Sequence, residues 1–96
     1  MSDKELYQQK KQAELDQWRA AVDKLKAKAS GASADVQLEM NQHIKTLESK
    51  IEEGQTKLSQ LAGASEDAWE PIKDGVESAW DSLQSAVGDA AAKFKQ

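Results

Sequence analysis

The chain has no cysteine. Disulfides and thiolate metal sites are therefore excluded. It has one proline in 96 residues, and its β-branched residues are scattered. Helix is the expectation throughout. No apolar run approaches the roughly 20 residues needed to span a bilayer. The opening MSDKELYQQKKQ lacks the apolar core of a signal peptide, so the expectation is a soluble, cytoplasmic protein. The apolar share, 39%, is below that of a typical globular domain and suits long two-faced helices better than a deep core. A chain this short has a poor surface-to-volume ratio, which makes self-association a natural expectation.

The residues that carry chemistry are equally sparse. His43 is the only histidine. Glu39 lies four residues before it, on the same helix face, and the pair offers two metal ligands where a structural zinc wants four and a catalytic zinc three. The paired acids Glu52–Glu53 and Glu66–Asp67 are adjacent in sequence, so on a helix they do not face each other. No Gly-rich phosphate loop, nucleophile elbow or HExxH is present. The expectation is a non-enzyme with no catalytic residue, no cofactor and no metal.

Charge is uneven. Residues 1–29 carry seven basic and five acidic groups (+2), residues 30–62 three and five (−2), and residues 63–96 three and seven (−4). An acidic chain is a poor generic nucleic-acid binder, because phosphate contacts need clustered Lys and Arg. The one basic cluster, Lys24, Lys26 and Lys28, falls near a helix C-terminus, where cations suit the macrodipole.

What the chain does have is periodicity. Two small-residue breaks, Ser30-Gly31-Ala32-Ser33 and Ala62-Gly63-Ala64-Ser65, each place Gly after an apolar-periodic run and Ser before the next, a stop followed by a cap. They divide a single domain, 1–96, into helices over about 3–29, 34–62 and 66–94. Each is about 40 Å long at 1.5 Å per residue, and short links between equal helices make them antiparallel neighbours. Leu15, Trp18, Val22, Leu25 and Ala29 step by 3, 4, 3, 4. So do Ile44, Leu47, Ile51, Gly54, Leu58 and Leu61. This is coiled-coil spacing. Folding at Gly31–Ser33 brings Leu25 opposite Met40, Trp18 opposite Leu47, Leu15 opposite Ile51 and Leu6–Tyr7 near Leu58. Gly54 then falls opposite Lys11 as a thin spot, and Gln8 and Lys11 weaken a seam expected to fray toward its N-terminus.

The third segment keeps an eleven-residue register, with Trp69 over Trp80 and Ala91, Ile72 over Leu83 and Phe94, and Val76 over Val87. Eleven residues are three turns plus about 20°, so such a face runs almost straight. Trp69, Ile72, Val76, Trp80, Leu83, Val87 and Phe94 lie with alanines in an arc of roughly 120°, and Glu70, Asp74, Glu77, Asp81 and Asp89 lie outside it. Ala68, Gly75 and Ala86 border the arc as a shoulder where another helix can approach. The stripe is a face either for packing on the hairpin or for binding a partner. Pro71 implies a kink, or a restart with Glu70 as cap and Pro71 as first helical residue.

The opening MSDKELYQQKKQAELDQWRAAVDKLKAKA and the close AWEPIKDGVESAWDSLQSAVGDAAAKF resemble those of a small bacterial coiled-coil protein family of the cyanobacterial type, linked to the stress response. That resemblance implies a cytoplasmic helical protein associated with stress and carries no catalytic residue across. The combined expectation is all-α: an antiparallel helical hairpin plus a third amphipathic helix, as a three-helix bundle or an elongated coiled-coil dimer. Its function is that of a non-enzymatic structural or interaction protein, self-associating or meeting an unknown protein partner. The alternative is a peripheral protein binding a lipid or membrane surface through the 66–94 helix, although the acidic polar face is unlike the Lys- and Arg-rich face such helices use.

Overall fold

A computed structural model describes residues 2–95. It consists of α1 (Asp3–Ser30), α2 (Ala34–Ala62) and α3 (Glu66–Lys93), with no strand among the described residues. The molecule measures 51 × 21 × 18 Å. Each helix is about 42 Å long, so the long axis is one helix plus its turns, and three helices share the cross-section. The chain is a three-helix bundle in which α1 packs on α2 and α2 on α3.

The caps explain the boundaries. The Ser2 side chain accepts the Glu5 N–H at 3.2 Å and so satisfies one orphan donor of the first turn. At the two internal breaks the expected serines, Ser33 and Ser65, have extended backbone and occupy the N-cap positions, but their side chains make no cap bond. Their backbone carbonyls take the first helical bonds, from Gln37 at 2.8 Å and Ala68 at 3.1 Å. Gly31 and Gly63 end their helices at φ of −100° and −94°, outside the left-handed region. The last turn of α1 instead tightens into three-residue bonds, Gly31 N–H to Lys28 and Ala32 N–H to Ala29, both 3.1 Å.

The core follows the two heptad seams and the α3 stripe. Leu15, Val22, Leu25 and Ala29 of α1 are buried, as are Met40, Ile44, Leu47, Ile51, Gly54, Leu58 and Leu61 of α2. Trp69, Val76, Trp80, Leu83, Ala90 and Phe94 complete one continuous cluster. The helix pairing differs from expectation by about one turn. Leu15, not Lys11, lies against Gly54: a Cβ on Gly54 would stand 3.4 Å from Leu15 Cδ2, 3.2 Å from Trp80 Cζ3 and 3.3 Å from Leu83 Cδ1. Gly54 is therefore no thin spot. It is the point where α2 makes room for the indole of α3.

The third helix also changes the surroundings of the N-terminal half of α1. Lys11 is only 8% exposed, because α3 brings Glu77 and Trp80 over it. The N-terminal part of α1 is capped by Ser2 and tied to α3 through a Lys4–Glu66 ion pair of 2.7 Å. Finally, α3 runs unbroken through Pro71 with Ser65 as its cap, so no restart occurs at Glu70.

Candidate functional site

The seven residues of the expected face go to one place. Trp69, Val76, Trp80, Leu83 and Phe94 are buried in the core, and Ile72 and Val87 are half-buried against it. The stripe packs on the hairpin. The small-residue shoulder sits beside α2: a Cβ on Gly75 would meet Lys57 Nζ at 3.9 Å, and Ala86 adjoins His43 and Leu47.

The eleven-residue spacing has a partner that the sequence reading missed. In α1, Tyr7, Trp18 and Ala29 are also eleven apart. The helices α1 and α3 run parallel, since each is antiparallel to α2. Tyr7 meets Trp69 edge-on with ring centroids 6.1 Å apart, and Trp18 meets Trp80 at 5.9 Å. Both pairs are separated by 62 positions, as is the Lys4–Glu66 pair. The two helices thus keep one constant register, bridged by aromatic rungs. The same spacing continues to Ala29 and Ala91, where no aromatic ring stands: Ala29 is buried in the core and Ala91 is exposed.

Around the first rungs lies a cluster of charge. The Tyr7 hydroxyl donates to Glu77 Oε1. Lys11 Nζ approaches Glu77 Oε2 at 3.4 Å and Glu14 Oε1 at 3.6 Å, and it lies 5.7 Å from the Trp80 ring centre. The bond from Tyr7, helped by Lys11, holds the Glu77 carboxyl below its ordinary range despite desolvation. Burial, and then the bond to Glu77, pushes the Tyr7 phenol up. These contacts tie α1 to α3.

Where the aromatic rungs give way to alanine, a groove opens between α1 and α3. Its floor is Leu47, its α1 wall is Leu25, and its α3 wall is Val87, Ala90, Ala91 and Phe94. It is a half-open slot of about 290 Å³, lined on the α1 side by Ala21 as well, and its rim carries Lys24, Lys28 and Lys95. The basic cluster of α1 is thereby split between faces. Lys24 and Lys28 edge the groove, while Lys26 pairs with Glu48 at 2.7 Å. A second hollow beside it, at the α1–α2 turn, is lined by Ala32, Val36, Met40 and Phe94. Val36 is exposed there, and Leu38, elsewhere on the first turns of α2, is 66% exposed.

The Glu39–His43 pair does not converge. Glu39 pairs with Lys93, which lowers its carboxyl pKa, and the His43 ring stands edge-on to Phe94 at 5.2 Å. Among the described residues no group of three or more His, Asp or Glu side chains is placed to hold a metal ion, and no helix is long and apolar enough to cross a membrane. Comparison with protein-family models, with curated proteins and with solved structures returned no match.

Proposed function

We propose that this chain is a non-enzymatic helical interaction protein of the cytoplasm, associated with stress as its resemblance implies, that works through helix-mediated contacts and associates with itself. The observation that carries the reading is the division of labour on α3. Its apolar stripe is spent on the core, and its exposed face presents Glu70, Asp74, Asp81 and Asp89. The C-terminal end of α1 exposes Lys24, Lys26 and Lys28 with no acid among them, Lys26 being already paired with Glu48. Two copies related by a twofold axis can lay α1 of each against α3 of the other, the reciprocal arrangement a symmetric dimer requires. Mass from light scattering tests this. The expected result is a dimer or larger at low salt that shifts toward monomer as salt shortens the reach of the charges. A monomer at every salt and protein concentration would refute self-association.

The rival reading, a peripheral lipid binder acting through α3, requires the stripe to leave the core. Trp69 and Trp80 would have to exchange burial for contact with lipid, and their burial supports the packed reading. Liposome flotation separates the two: co-flotation of the chain with vesicles would favour the lipid surface.

A further inference from the structure

The geometry points to a ligand site in the groove between α1 and α3, built for a free single-chain carboxylate such as a medium-chain fatty acid. The inference goes beyond the contact reading above and stands without it.

The argument begins with the register. Two aromatic rungs hold α1 and α3 together, and eleven residues further on α3 offers only Ala91, which lines the groove, while Ala29 of α1 is buried in the core. One turn before Ala21 the Trp18–Trp80 pair closes the space between the helices. From there to Phe94, which is buried beside the C-terminal end of α1, the helices leave a slot whose α3 wall runs from Val87 to Phe94, about 10 Å at helical rise. At about 290 Å³ the slot sits at the small end of ligand pockets, which start near ~300 Å³. A partner helix, about 10–12 Å across with its side chains, needs an open face and does not enter it. An unbranched chain does.

Charge selects the head group. No carboxylate lines the slot, and lysines stand on both of its edges: Lys24 and Lys28 on α1, Lys95 just past the end of α3. Among the described residues Lys24 and Lys28 form no ion pair. Their stems extend the apolar wall while their ammonium groups stay in water. An apolar slot with a cationic rim, in a chain of net charge −4, is complementary to an acyl tail with one anionic end.

Titration calorimetry with decanoate, below the concentration at which it aggregates, is the test. The expected result is one decanoate per chain, with affinity falling about fourfold for each methylene removed from the tail. The variant Lys24→Glu/Lys28→Glu changes only exposed side chains. It should weaken decanoate about tenfold and leave decanol unchanged. Ala91→Phe supplies the missing rung and should abolish binding of both, with the bundle's melting temperature unchanged or raised. Absence of saturable decanoate binding would overturn the proposal. So would equal binding of decyltrimethylammonium, decanoate binding untouched by Ala91→Phe, or binding confined to anionic vesicles.

Discussion

Trp18 and Trp80 stand ring against ring, centroids 5.9 Å apart and planes tilted by 56°, and join two helices that are not neighbours in sequence. Trp18 comes from the heptad seam of α1 and Trp80 from the eleven-residue stripe of α3. Their contact is where the two periodicities meet, with Gly54 of α2 beneath the Trp80 ring. The third helix is thus keyed into the hairpin and does not simply lie on it.

If α3 is keyed in this way, its indole should matter as much as a seam leucine. Truncating a buried Trp costs about 3–5 kcal/mol and a buried Leu about 2–5, out of a total near 5–15 kcal/mol for a domain of this size. Trp80→Ala and Leu47→Ala should therefore lower the melting temperature to a similar extent in parallel thermal scans. A Trp80→Ala chain that melts like the parent would mean that α3 is not part of the cooperative unit.

The glycines make a sharper pair. Gly88 is exposed in the penultimate turn of α3, and an added Cβ would meet nothing within 4 Å. Alanine there should stabilise by about 0.5–1 kcal/mol through helix propensity. Gly54 has Trp80, Leu83 and Leu15 within 3.2–3.4 Å of an added Cβ. Gly54→Leu must displace all three, and overpacking of this kind costs about 1–3 kcal/mol. Chemical denaturation of the two variants should move the midpoint in opposite directions.

The Tyr7–Glu77 bond predicts the pH profile. Glu77 titrates below its ordinary 4.5 in the folded chain. Its contribution is therefore present above that value and fades as the pH falls through the depressed one. Tyr7 titrates above its ordinary 10.0, so its contribution is complete below pH 10.0 and is lost as the pH rises beyond it. Tyr7→Phe should flatten both limbs of a plot of melting temperature against pH. Part of the acid limb should survive, because Lys93 holds the exposed Glu39 down as well. A Tyr7→Phe profile parallel to the parent would show that the bond contributes nothing.

The helices were legible because their signals are local. The three spans read from the breaks agree with α1, α2 and α3 to within a residue at each end, and both apolar seams lie in the core. What could not be read depends on the third helix. A two-helix seam puts Lys11 beside Gly54, and only α3 turns Gly54 into a seat for Trp80 and surrounds Lys11 with Glu77 and an indole. The rung register was visible in principle, since Tyr7, Trp18 and Ala29 repeat at the spacing of Trp69, Trp80 and Ala91. The heptad seam hides it, because that seam already accounts for Trp18 and leaves Tyr7 only a place near Leu58. The groove follows from the same register and was missed with it.

Pro71 offers the last prediction. It occupies the sixth position of a continuous α3, beyond the first turn in which a missing N–H costs nothing. It cannot donate to the Asp67 carbonyl, and its ring presses on that carbonyl, a combination that costs about 3 kcal/mol in a helix interior. Its side chain is exposed, so alanine would remove no core contact. Against this, proline restricts the unfolded chain, and losing that restriction costs about 0.4–1 kcal/mol. The helical term is the larger, so Pro71→Ala should stabilise the bundle by roughly 2 kcal/mol and raise its melting temperature. It should also slow amide exchange around Asp67–Ile72, where the restored bond lies. A lowered melting temperature would mean that a bend at Pro71 is needed to set Trp69 against Tyr7, and the first rung would then be held by backbone geometry as well as by its rings.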